Sequence, residues 1–195
     1  MSRVGIFGGT FDPVHVGHLV VAVWVRAELG LDKVLLVVAN EPWQKLHRCE
    51  LSPARDRLAM VQAAVGGIDG VEASAMEIDR GGLSYTVDTL AAVRAGDPDG
   101  SRFLILGSDA AAGLETWHRY PEIVRMAEVV VVDRPGAVGQ RPPVAHRVVD
   151  CPLLDLSSTR VREWAEAGRP LDGLVPAAAL AHCREKGLYG QARHR

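Results

Sequence analysis

Short runs rich in β-branched and other apolar residues recur along this chain, separated by stretches of helical spacing. RVGIF at 3–7 precedes a helix-like segment at 18–29, and KVLLVVA at 33–39 precedes another at 53–65. VEASAMEI at 71–78 leads to a helix near 86–95, RFLIL at 102–106 to DAAAGLETW, and EVVVV at 128–132 to a Pro/Gly-rich segment at 135–143. A weaker strand at 146–149 and helices near 158–167 and 176–186 close the series. Strands apolar on both faces, alternating with helices, predict a parallel sheet covered on each side. The expected fold class is α/β: a doubly wound, Rossmann-like parallel sheet with helices on both faces. No internal repeat interrupts the pattern, and 135–143 reads as a surface loop rather than a linker. One domain over 1–195 is therefore expected, with its C-terminal helices starting at about 157.

Composition narrows the function. A chain of 195 residues, 48% hydrophobic, can bury one substantial core. Its formal charge of -2 removes the electrostatic case for a dedicated nucleic-acid binder. Cys49, Cys151 and Cys183 lie far apart with no CxxC, so neither a zinc ribbon nor a disulfide framework is indicated and a reducing, cytoplasmic setting is expected. The N-terminus runs straight into a strand, and no apolar stretch reaches membrane-spanning length, so no membrane association is expected.

In doubly wound sheets, ligands bind beyond the C-terminal ends of the strands, near the switch in strand order. The unusual residues of this chain fall there: GGTFDPVHVGH after the first strand, NEPWQK after the second, DRGGLSYT after the third, GSDAA after the fourth and DRPG after the fifth. Each loop alone is weak evidence; their agreement on one sheet edge is stronger. The first loop is not GxGxxG and GxxxxGK[ST] is absent, which argues against a dinucleotide-binding dehydrogenase and a P-loop enzyme.

Gly8 and Gly9 permit either a tight strand-to-helix turn or close approach of a ligand to the backbone. His15 and His18, one helical turn apart, admit three readings: a structural pair, a metal pair, or donors to phosphate oxygens. The metal reading lacks a third ligand at motif spacing, so no protein metal site is expected. SSTRVRE at 157–163 is a good N-cap, yet it places Arg160 and Arg162 near the positive end of a helix, where a docked anion would compensate them. Hydroxyls, free N–H groups and an Arg fork together suit a polyphosphate.

GGTFDPVHVGH resembles the (H/T)xGH signature of the nucleotidylyltransferase superfamily, and LSSTRVR resembles its ISSTxIR signature. Within that superfamily, EIDRGGLSYTVDTL, GSDA followed by TW, and VDRPG resemble the nicotinate-mononucleotide adenylyltransferases, from Val4 to Tyr189. One departure stands out: Gln44 in PWQK occupies the place of a usual His. The resemblance implies transfer of AMP from ATP to nicotinate mononucleotide, giving deamido-NAD and pyrophosphate. The acceptor phosphate, with a second pKa of about 6, is its own nucleophile. Positioning and electrostatic stabilisation then replace a general base.

The resemblance also implies site roles. His15, His18 and Arg162 would be catalytic. ATP would be held by Gly8, Gly9, Thr10, Phe11, His15, His18, Ser157, Ser158, Thr159 and Arg162, with Arg160 at the motif's variable position. Lys45, Thr86, Asp109 and Trp117 would hold nicotinate mononucleotide, Lys45 having an equal claim to being a solvated loop lysine. Trp43 and Tyr85 are assigned to packing. Mg²⁺ is expected mainly on the ATP phosphates. A homo-oligomer is compatible with the sequence. Phosphopantetheine adenylyltransferase usually has Thr at the position of His15, glycerol-phosphate cytidylyltransferase lacks the SYT and GSD…W elements, and a nucleotide sensor would lose the histidines.

Overall fold

A computed structural model describes residues 1–43, 51–133, 141–152 and 154–190. Among the described residues six strands form one all-parallel sheet: β1 (Arg3–Gly9), β2 (Lys33–Val38), β3 (Val71–Ser74), β4 (Ser101–Gly107), β5 (Glu128–Val132) and β6 (His146–Val149). Their order is β3-β2-β1-β4-β5-β6, so the direction of winding reverses between β1 and β4. The helices are α1 (Val16–Leu29), α2 (Ala54–Val65), α3 (Met76–Arg80), α4 (Thr86–Gly96), α5 (Ser108–Ala112), α6 (Tyr120–Met126), α7 (Ser158–Glu166) and α8 (Ala177–Lys186).

The central strands explain their unbroken apolar runs. Alternate side chains enter two cores, with Val34, Leu36 and Val38 on one face and Leu35 and Val37 on the other. The first core includes Val25, Val61 and Leu180 from α1, α2 and α8; the second includes Val87, Leu90 and Ile123 from α4 and α6. Both faces must therefore be apolar, and the doubly wound expectation is met.

Three local readings need correction. VEASAMEI is strand only over Val71–Ser74; Met76–Arg80 is helical, with Asp79 N–H donating to Ala75 O at 2.8 Å. Ala75, Met76 and Glu77 are all good helix formers, which outweighs continuation of a short strand. The expected 109–117 helix breaks at Gly113 into α5 and a single 3₁₀ turn, Leu114–Thr116. The sequence pattern gives no warning of α6, whose entry residue Arg119 has φ 53°. Residues 134–140 of the expected 135–143 loop lie outside the described residues.

Candidate functional site

The loop after β1 is shaped by its own aromatic ring. Phe11 is buried and has φ 51°, and its Cζ would lie 2.7 Å from any Cβ placed on Gly9. Gly9 is thus required by close packing. Gly8 differs: no atom lies within 4 Å of where its Cβ would stand, and its surface is open. The loop ends at His15, the N-cap of α1. His18 Nδ1 accepts the His15 backbone N–H at 3.1 Å, so the neutral ring carries its proton on Nε2. The two imidazoles stack with centroids 3.7 Å apart, and Phe11 meets His18 edge-on at 4.9 Å.

Two cavities flank this loop at the switch between β1 and β4. One is lined by His15, His18, Gly107, Asp109 and Leu156. The other is lined by Thr10, Trp43, Glu77, Ser84 and Thr86. Gly8, Leu106 and Trp117 line both, so the cavities share a wall. The half-buried Trp117 follows the 3₁₀ turn, and its backbone N–H donates to Leu114 O at 3.1 Å.

This arrangement redistributes the residues expected from sequence. His15, His18 and Gly8 come together, but Thr10 and Gly9 line the second cavity, and Phe11 lines neither. Asp109, expected beside Thr86, lines the histidine cavity instead, because it sits in the first turn of α5 directly beyond β4. Thr86 and Trp117 do meet in the second cavity. Trp43, assigned to packing, lines that cavity as well. Tyr85 packs on His118 with centroids 4.4 Å apart, in keeping with a packing role. Lys45 and Gln44 lie outside the described residues.

The SSTRVR segment docks on the first loop. Ser157 caps α7 by accepting the Arg160 N–H, and Ser158 Oγ donates to Pro13 O at 2.9 Å. Arg162 Nη1 donates to Asp12 O at 2.5 Å, and its Nη2 lies 3.4 Å from Thr159 Oγ1. The two arginines are not equivalent. Arg160 pairs with Asp155 at 2.9 Å and lies 5.5 Å from the Trp164 ring, so a carboxylate already offsets its charge. Arg162 is the fifth helical residue, beyond the reach of most of the dipole, and faces a groove shared with Asp12, Thr159 and Tyr189.

Arg57 is the largest omission of the sequence reading. Only 1% exposed, its guanidinium donates to Thr10 O, Ala39 O, Asn40 O and Ser52 O at 2.7–3.0 Å. It therefore ties the carboxyl ends of β1 and β2 to the start of α2. Burial lowers its pKa from the ordinary guanidinium value, opposed by the charge of Asp12. Asp12 is itself buried and accepts the Tyr189 hydroxyl and, at 3.4 Å, the Ser52 N–H. One signal was available: Arg57 shares a helical stripe with Val61 and Val65, both buried, so it could not face solvent.

Among the described residues no three His, Cys, Asp or Glu side chains gather as a metal site, and no helix is long and apolar enough to cross a membrane. The cytidylyltransferase-like family model matches residues 6–164. The chain is 40% identical over 190 residues to a "Probable nicotinate-nucleotide adenylyltransferase" of Saccharopolyspora erythraea, covering 96% of this chain and 89% of that protein. It is 41% identical over 189 residues to a protein of the same name from Streptococcus pneumoniae serotype 4, again covering 96% and 89%. The solved structure of Plasmodium falciparum nicotinic acid mononucleotide adenylyltransferase complexed with NaAD has the same fold, with a TM-score of 0.82 at 16% identity over 98% of this chain and 99% of that one. With matching motifs, cavities at the switch point and full-length relatives at this identity, the chain belongs to the nicotinate-nucleotide adenylyltransferases, nucleotidyltransferase enzymes of the cytidylyltransferase-like family.

Proposed function

We propose that this protein transfers AMP from ATP to nicotinate mononucleotide, releasing pyrophosphate and forming deamido-NAD, as a cytoplasmic step of NAD biosynthesis carried out by one domain over residues 1–195. The observation that carries this reading is the shared wall. A reaction joining two nucleotides needs two sites that meet at the reacting atom, and two cavities here meet at Gly8 and Trp117. ATP occupies the cavity of His15 and His18, and the mononucleotide occupies that of Thr86 and Trp117. Relatives bearing the name of this activity support the same assignment.

In the transfer, an oxygen of the acceptor phosphate forms a bond to the α-phosphorus while the bond from that phosphorus to the bridging oxygen of pyrophosphate breaks. No proton need move. Negative charge grows on the α-phosphate oxygens and on the leaving group, so fixed donors lower the barrier. His18 supplies Nε2–H, its orientation fixed by the bond its Nδ1 accepts from His15. Arg162 and the hydroxyls of Ser157, Ser158 and Thr159 grip the β- and γ-phosphates. Arg162 is already anchored through Nη1 to the Asp12 carbonyl, which limits the entropy lost on binding. Thr10 and Phe11 contribute through the backbone geometry of the loop. Lys45 is assigned to the mononucleotide phosphate.

Mg²⁺ fits this donor set as a companion of the triphosphate. Asp109 is the carboxylate lining the histidine cavity, and a hard cation bound by few protein oxygens keeps phosphate and water ligands. When bound, it neutralises phosphate charge. The residues of the chain do the orienting.

The test is direct: purified protein with ATP, Mg²⁺ and either nicotinate mononucleotide, nicotinamide mononucleotide or phosphopantetheine. Stoichiometric pyrophosphate and deamido-NAD, with the highest kcat/KM for nicotinate mononucleotide, are expected. Equal use of the nicotinamide analogue, or preference for phosphopantetheine, overturns the substrate assignment.

A further inference from the structure

The cavity assigned to the acceptor has an unexpected electrostatic character. The substrates of the proposed reaction are polyanions, yet the one ionisable side chain among the described residues lining this cavity is a carboxylate, Glu77. It is 7% exposed and sits on α3, where Oε1 accepts the hydroxyl of buried Thr89. Trp43 and Trp117 line the same cavity. A buried carboxylate is costly unless something compensates it, and a single neutral hydroxyl compensates little of its charge. Two indole faces and an anion are the elements that recognise an organic cation.

Building on the proposed function, we infer that Glu77 is a specificity-determining residue that selects a positively charged base, the N-ribosyl pyridinium of the acceptor, over a neutral one. A pyridine linked through its ring nitrogen to ribose carries a permanent positive charge, whatever its ring substituent. The electron-rich indoles of Trp43 and Trp117 favour that ring, and Glu77 adds a through-space attraction. The phosphate end of the same molecule lies beyond the shared wall, towards the histidines. One acceptor thus meets negative protein charge at its ring and donor groups at its phosphate. Neutral heterocycles lack the first interaction, and a ring without positive charge leaves the buried carboxylate less compensated than before.

The experiment compares nicotinate mononucleotide with its 1,4-dihydro form, which has the same substituents but an uncharged ring. In the wild type, kcat/KM should favour the oxidised acceptor by roughly tenfold or more. Glu77→Gln keeps an oxygen to accept the Thr89 hydroxyl but removes the charge. It should lose that preference by lowering kcat/KM for the oxidised acceptor alone, with the KM for ATP unchanged. Glu77→Asp, which restores charge, should recover part of the ratio. A purely structural role would lower both acceptors equally in both variants, and that result overturns the inference. A wild-type ratio near one overturns it without any variant. If the wild type adenylylates neither form but accepts another phosphomonoester, the proposed function itself falls, and this inference falls with it.

Discussion

His18 Nδ1 lies 3.1 Å from the His15 backbone nitrogen and accepts its N–H, while the two rings stack at a centroid separation of 3.7 Å. The bond does two things at once. It satisfies a backbone donor at the start of α1, and it commits the neutral His18 ring to present Nε2–H. A residue fixed as a donor in this way suits stabilisation of charge on a phosphate. It is poorly arranged to take a proton from a nucleophile, since the nitrogen able to accept one is already occupied.

The adjacent glycines of the first loop should respond oppositely to the same change. Gly8→Ala places its methyl in open space on the wall shared by the two cavities. It should fold with nearly wild-type stability while kcat/KM falls by about tenfold or more, because a methyl there displaces the reacting phosphates from alignment. Gly9→Ala meets the Phe11 ring at 2.7 Å and should cost about 1–3 kcal/mol in stability. Urea denaturation and steady-state kinetics on both variants check the pair; equal destabilisation would contradict the geometry.

Arg57→Met should destabilise the protein by about 3–5 kcal/mol, since it leaves the carbonyls of Thr10, Ala39, Asn40 and Ser52 without their shared donor. Arg57→Lys retains charge but cannot reach all four acceptors, so it should fall between the two. Urea denaturation measures the order, and a Met variant as stable as the wild type would remove Arg57 from its clamping role.

Stability should also fall in alkaline solution. Burial pushes the thiols of Cys151 and Cys183 up to about 11 from an ordinary value of 9.0. Groups of this sign contribute stability that is fully present below pH 9 and is lost as pH rises towards 11, because the unfolded chain releases those protons first. The Tyr189 phenol, also raised by burial and then by the charge of Asp12, extends the decline to higher pH. The urea midpoint should be level from about pH 7 to 8 and then drop. Cys183→Ala should make the drop shallower even though its starting stability is lower. A midpoint that rises with pH would contradict the burial of these groups.

Most of the fold could be read in the sequence because it depends on short-range pattern. The run Val34–Val38 is apolar throughout since both its faces are buried, and no half-exposed strand would carry such a run. Residues 76–80 were misread because four residues of strand and five of helix offer too few positions to distinguish period 2 from period 3.6. The site divides along a similar line. His15, His18 and Thr86 each lie at the start of a helix that follows a strand, so topology alone places them at the sheet edge, and Trp117 reaches it through the turn after α5. Arg57 and Tyr189 act through partners 5 to 47 and 137 to 177 positions away, and although the helical stripe of Arg57 signals its burial, no local pattern names those partners. The placing of Asp109 differs for a related reason: sequence adjacency to Trp117 could not reveal that Gly113 divides the segment, so that Asp109 lines the histidine cavity alone while Trp117 lines both.

The central mechanistic claim is base-free transfer in which His18 is a donor. Its most direct test is kcat/KM for nicotinate mononucleotide against pH, in the wild type and in His18→Asn, with ATP and Mg²⁺ saturating and chemistry rate-limiting. Asparagine keeps an oxygen for the His15 N–H and removes the titrating imidazole. The variant should be slower by roughly 100 to 1,000-fold in kcat, the usual cost of losing one transition-state donor. Its activity should still rise with pH through the second ionisation of the acceptor phosphate, at about pH 6. Loss of that acidic limb in the variant would identify His18 as the titrating base and contradict the mechanism.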